Sequence, residues 1–245
     1  MAGFRAFWLA QQGNSPAEYQ DALAGNAVAG RYAVADGVTQ SGFARSWARL
    51  LVAAFVADGA APEAFVARLP ELQTRWREGL PAKLDWLAEE KAQEGAFATF
   101  LGMTMTASAD GVTHEWLAAA IGDACLFHTR ENRLLAAFPL ERSAEFTNVP
   151  RSLGSRAAIA GYWEKHAVHR RGHALPGDRL WLATDALAQW CLGECEAGFP
   201  PWADLELLCS DGEGDAHFVE WIAGLRDRLE RRLRNDDVTL LMVRT

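Results

Sequence analysis

Between Phe97 and Phe138 the chain carries strand signals separated by little more than turn residues, and this stretch limits the fold more than any other. Phe97 to Ala107 places threonine and aromatic residues in rough alternation, and Asp110-Gly111 supplies a two-residue hairpin signal. Strand signals follow at Val112 to Ile121, Ala124 to Thr129 and Leu134 to Phe138, the last pair joined by Arg130 to Arg133. Strands this close in sequence must pair antiparallel, because a parallel partner needs a crossover of roughly a dozen residues.

Around this meander the pattern changes period. Phe4 to Gln11 and Arg31 to Ala35 read as strands. From Ser41, the apolar residues Phe43, Trp47, Leu50, Leu51, Ala54 and Phe55 recur at helical spacing to about Ala57. Pro62 to Glu94 reads as two amphipathic helices divided near Gly79-Leu80-Pro81, where proline disfavours continuation. Residues 139–164 hold Pro139 and Pro150 and read as a loop or flap. Strand signals return at Ala167 to Arg170 and Arg179 to Ala183. A helix is expected from Ala186, a basic one from Ala216 to Leu233, and a closing strand from Val238 to Val243. Helices that segregate from antiparallel strands predict an α+β fold with packed sheets and outer helices. The expectation is one domain over residues 1–245 with a flap at 139–164.

Composition narrows the function. Half the residues are apolar and the net charge is −8 with lysine and arginine scattered, so no nucleic-acid footprint is present. The apolar run Leu50 to Ala57 is far short of the ~20 residues that span a bilayer, and Arg5 breaks the short N-terminal run. No signal peptide or membrane anchor is expected. Cys125, Cys191, Cys195 and Cys209 lack zinc-finger spacing and are expected as reduced thiols of a cytoplasmic chain; a monomer is expected separately from the cysteines.

Five aspartates share a local context, the end of a strand or the turn after it: Asp21, Asp36, Asp123, Asp185 and Asp236. One such residue is ordinarily a turn or cap residue, as expected for Asp110. Five of them can converge at a sheet edge, where mutual repulsion calls for divalent cations. Oxygen donors alone suit Mg²⁺ or Mn²⁺. Gly37 after Asp36 lets a backbone carbonyl approach such an ion.

These motifs, in order, resemble the protein phosphatase 2C, or PPM, family. Glu18-Tyr19-Gln20-Asp21 is similar to its first acidic motif, and Val34-Ala35-Asp36-Gly37 to its central Asp-Gly motif. Phe100 to Thr106 is similar to the strand before the meander, and Gly122-Asp123 to the Gly-Asp-Ser element. Pro176 to Ala186 and Asn235-Asp236-Asp237-Val238-Thr239 are similar to the last two acidic strands. The resemblance implies two packed antiparallel sheets between helix layers, an αββα sandwich. It also implies a Mn²⁺- or Mg²⁺-dependent phosphatase acting on phosphoserine or phosphothreonine proteins, the substrates of a Ser/Thr kinase. Asp36 would bridge two ions, with the Gly37 carbonyl on one. Asp185 and Asp236 would complete the other, and Asp21 would hold bound water. Asp123 would bind the third ion found in bacterial members. A metal-activated water would then be the nucleophile, and no Gly-x-Ser-x-Gly elbow offers an alternative.

Three positions depart from the family pattern. Gln20 stands where glutamate is usual and Ala186 where glycine is usual. Residues 13–17, where a phosphate-gripping arginine commonly precedes the first motif, contain none. Arg45 is the candidate substitute for substrate binding, against the plainer reading of a solvated helix residue. Gln20 and the missing arginine favour the rival function, a weak or inactive phosphatase-like module that binds phosphoproteins. Other signals carry less. Gly25 to Tyr32 has P-loop glycine spacing without the Lys-Ser/Thr and reads as a loop. Asp211 to Asp215 reads as an acidic surface turn. His166, His169 and His173 read as a polar strand flank. Trp47, Trp116 and Trp181 read as core.

Overall fold

A computed structural model describes residues 3–38, 43–57, 59, 61–156 and 162–245. One five-stranded sheet has the order β1 (Phe4–Leu9), β12 (Val238–Arg244), β11 (Arg179–Ala183), β7 (Cys125–Arg130), β8 (Arg133–Phe138). The second has the order β10 (Val168–Ala174), β6 (His114–Ile121), β5 (Phe100–Ala107), β3 (Arg31–Ala35), β2 (Ala22–Asn26). A short pair joins β4 (Phe97–Ala98) to β9 (Leu153–Gly154). All these pairings are antiparallel. The described helices are α1 (Ala44–Ala57), α2 (Leu69–Glu78), α3 (Trp86–Glu94), α4 (Tyr162–His166), α5 (Asp185–Glu196), α6 (Trp202–Ser210) and α7 (Gly214–Arg226).

Three layers of buried side chains glue the sandwich. Tyr32, Val34, Leu101, Met103, Leu182 and Leu241 fill the space between the sheets. The outer face of the β1–β12 sheet packs Phe7, Phe127 and Trp181 against α5, α6 and α7. The outer face of the other sheet packs α1 and α2, and here Phe100 and Ile121 stand among small strand residues, Ala22, Ala33, Ala35 and Ala119. Gly102 belongs to this set, since a Cβ there would stand 2.7 Å from the Phe55 ring. Small residues let α1 settle onto the strands, and the large Trp47, Leu51 and Phe55 of α1 fill the gap. Arg31 is buried beneath them, donating from Nε to the Phe55 carbonyl at 2.8 Å at the negative end of α1. The helix–sheet–sheet–helix architecture matches the expected α+β sandwich.

Several expectations need correction. The loop expected around Gly25 contains β2, whose edge strand is only half buried and therefore weakly patterned. The turn at Asp110 is wider than two residues, because its carboxylate accepts from Val112 N, Thr113 N and Thr113 Oγ1. The two-residue turn occurs instead at Glu131-Asn132, both with positive φ. The helix α6 was not anticipated, and α7 ends at Arg226 rather than Leu233. His166 ends α4 with its ring tilted against Tyr162, while His169 lies on β10 against Trp163, so the three histidines do not share one strand. Trp47, Trp116 and Trp181 are core as expected, and the four cysteines are free. No helix among the described residues is long and apolar enough to cross a membrane.

Candidate metal centre

The aspartates meet at one end of the sandwich because each flanks a strand there: Asp36, Asp123 and Asp185 follow β3, β6 and β11, and Asp21 and Asp236 precede β2 and β12. Asp36 leaves β3 and is held by Thr99, whose N–H donates to the Asp36 carbonyl at 2.9 Å. Gly37 follows in a confined place, where a Cβ would stand 2.8 Å from the Gln20 carbonyl oxygen. Asp123 sits in the turn between β6 and β7, after Gly122. That glycine has φ +99°, and a Cβ there would meet Thr99 at 2.6 Å. Asp185 opens α5 immediately after β11, and Asp236 lies in the loop entering β12.

One carboxylate oxygen from each of Asp36, Asp123 and Asp185 lies within 4.8 Å of the others. Asp36, Asp185 and Asp236 line a common cavity of about 440 Å³ together with Gly37, Phe97 and Arg234. Residues Thr147 to Pro150 and Ser152, from the irregular segment after β8, also line it. Asp21 is almost wholly buried behind the cluster and accepts from Thr184 Oγ1 at 2.8 Å and Thr239 Oγ1 at 2.7 Å. The Tyr19 hydroxyl in turn donates to Thr239 Oγ1, so Tyr19, Thr239 and Thr184 all serve Asp21. Arg45 donates to the Ala17 carbonyl and is not among the residues lining the cavity.

Electrostatics mark the cluster as strained for charge. Burial, followed by the charges of Asp21 and Asp185, holds the Asp36 carboxyl well above the usual range. Burial pushes Asp21 up to about 8 against the Thr239 hydrogen bond. Burial and the Asp185 charge push Asp123 up to about 7. Asp185 is raised by burial, while Arg234 pulls it back. The fit for a cation is direct: both carboxylate oxygens of Asp123 are buried with no hydrogen-bond partner, as is Gln20 Oε1. Buried acceptors without donors are costly, and a divalent ion among oxygen ligands removes that cost. The residues present therefore suit Mg²⁺ or Mn²⁺.

Two features were not read from the sequence. Arg234 reaches the cluster, with Nη2 on Asp185 Oδ2 and 3.2 Å from Asp236 Oδ2. Its one signal was a cation immediately before the motif that begins at Asn235. Thr184 and Thr239 lie inside the quoted motifs, but only the pairing of β11 with β12 shows that both face Asp21.

A family model described as protein phosphatase 2C matches residues 13–230. No curated protein matches the chain. Among solved structures, the Mycobacterium tuberculosis serine/threonine phosphatase PstP/Ppp is 17% identical with a TM-score of 0.62, over 99% of this chain and 98% of that one. The catalytic domain of PstP in complex with two manganese ions is 18% identical with a TM-score of 0.59, over 100% and 99%. PppA, described as a key regulatory component of T6SS in Pseudomonas aeruginosa, is 20% identical with a TM-score of 0.58, over 99% and 97%. At these identities the structures support the fold.

Proposed function

Because this chain belongs to the protein phosphatase 2C family, whose members are protein serine/threonine phosphatases, we propose that it hydrolyses phosphoserine and phosphothreonine in proteins with Mn²⁺ or Mg²⁺. The observation that carries this reading is the convergence of Asp36, Asp123 and Asp185 with donor-free oxygens on Asp123. Asp36, Asp185 and Asp236 would hold two ions, with the Gly37 carbonyl contributing, and Asp123 a third. When bound, such ions supply an activated water and offset charge on the phosphoryl oxygens.

The chain's own residues do the rest. Asp21, fixed by Thr184 and Thr239, stands against Asp36 as an acceptor that can orient water. Phe97 and residues 147–150 line the cavity, and we propose the 139–164 segment, of which 157–161 lie outside the described residues, as a flap beside it. Cysteine catalysis lacks support. No cysteine lines the cavity, and burial pushes the Cys195 and Cys209 thiols up to about 11 and about 12. Free thiols suit the proposed cytoplasmic setting, with a phosphorylated protein as substrate and a monomer as the working form.

A second reading, a weak or inactive phosphoprotein-binding module, is favoured by Gln20, whose neutral amide stands where the family places a carboxylate. Two measurements separate the readings: manganese titration by calorimetry, and turnover of a phosphothreonine peptide. Manganese-dependent turnover that Asp36→Asn reduces by about 100-fold or more, with the thermal transition retained, is the expected result. A wild type that binds no manganese would leave the second reading standing.

A further inference from the structure

We propose that Arg234 is the residue that binds the substrate's phosphoryl group, which rests on the phosphatase reading above. A phosphate monoester is a dianion, and the cavity it must enter carries Asp36, Asp185 and Asp236, with Asp123 and Asp21 behind. Divalent ions offset part of that charge. A guanidinium adds what ions cannot, a planar fork that donates to two phosphoryl oxygens at once.

Among the described residues that line the cavity, Arg234 alone is cationic. Its Nη2 sits on Asp185 and within 3.2 Å of Asp236, so a phosphoryl group that reaches these carboxylates is within reach of the same fork. The two carboxylates do not saturate the guanidinium, since its Nε is buried without a hydrogen-bond partner. The side chain is 38% exposed, open enough to meet a ligand and close enough to be oriented. Arg45 spends its Nη1 on the Ala17 carbonyl and does not line this cavity.

The backbone that presents Arg234 is tied down on both sides. Upstream, Trp190 Nε1 donates to the Arg231 carbonyl at 2.9 Å, and the buried Glu194 pairs with Arg231 at 3.3 Å. Downstream, Arg226 Nη2 donates to the Asp236 carbonyl at 2.5 Å. The arginine therefore arrives on a held segment, which lowers the entropy cost of gripping an anion.

The test separates phosphate binding from turnover. Inorganic phosphate is titrated by calorimetry into manganese-loaded wild type, Arg234→Ala, Arg234→Lys and Arg45→Ala, and manganese affinity and p-nitrophenyl phosphate kinetics are measured for each. The expected result is about a tenfold or greater loss of phosphate affinity in Arg234→Ala, a matching rise in KM, and manganese binding no weaker than wild type. Arg234→Lys, a point charge without the fork, should recover part of the loss. Unchanged phosphate affinity in Arg234→Ala overturns the proposal. So does a parallel loss of manganese, which would make Arg234 a positioning residue for the aspartates, or a loss confined to Arg45→Ala. If wild type binds phosphate through Arg234 yet turns nothing over, the phosphatase reading fails and the binding assignment stands.

Discussion

Asp123 shows most clearly how a single side chain can be unstable in place and useful there. Its carboxylate is buried without a donor, pushed up to about 7 by burial and by Asp185. Removing the charge should therefore help the metal-free protein and harm the metal-bound one. Asp123→Asn is expected to raise the melting temperature in chelator, by an amount worth about 1–3 kcal/mol, and to lower the number of manganese ions bound in calorimetry. A lower melting temperature in chelator would contradict this. At this scale the acids were legible, because Asp36, Asp123, Asp185 and Asp236 each stand at a strand end in a recognisable string. Arg234 was not, because nothing along the chain tells which of its many arginines folds back onto two of those acids.

The loop between α7 and β12 is held by α5 rather than by helical continuation. Residues 227–233 are rich in good helix formers, which is why a helix to Leu233 was expected. Leu229 is fully exposed, however, so a longer helix would gain no buried face there. The chain turns instead, with Arg231 at positive φ, and Leu233 N donates to the Leu225 carbonyl at 3.1 Å. Glu194 is the anchor, buried on α5 and paired to both Arg228 and Arg231. Glu194→Gln should cost about 1–2 kcal/mol in denaturant unfolding and speed amide exchange across 227–236. Unchanged exchange there would show that Trp190 and Arg226 suffice. The same reasoning explains which elements were readable. The helix α1 shows a strong apolar period because its whole face is buried, while β2 and α6 depend on neighbours that sequence patterning does not display.

For the molecule as a whole, two groups of carboxyls pull stability in opposite directions with pH. Asp21 at about 8 and Asp123 at about 7 lie above the 3.8 of an unperturbed aspartate. Between those values the metal-free folded state binds more protons than the unfolded chain, so its stability falls as pH rises. Asp178 behaves the other way. Its burial would raise it, yet bonds from Arg130, Leu175 N and His128 hold it down at about 2, so it stabilises above 3.8 and loses that contribution as pH falls toward 2. In chelator, melting temperature should peak in mild acid and decline from about pH 5 to pH 8. Manganese should reverse the decline, because it replaces the protons. A melting temperature that climbs steadily to pH 8 in chelator would refute this. The sandwich itself was legible, since crowded strand signals from Phe97 to Phe138 allow little except antiparallel pairing. The order of strands was not, because it depends on contacts between distant segments.

That order has a consequence for biosynthesis. The last strand, β12, lies second in its sheet, between β1 and β11, and it carries the Thr239 that holds Asp21. Residues 238–244 follow every other described strand of that sheet in sequence, so they leave the ribosome after those strands. Until then the first strand has no partner in the sheet, and Asp21 and Asp185 lack the companions that complete their pocket. A nascent chain that stops short of Val238 should therefore bind manganese more weakly than the chain that includes β12, which truncation before residue 238 and calorimetry would check.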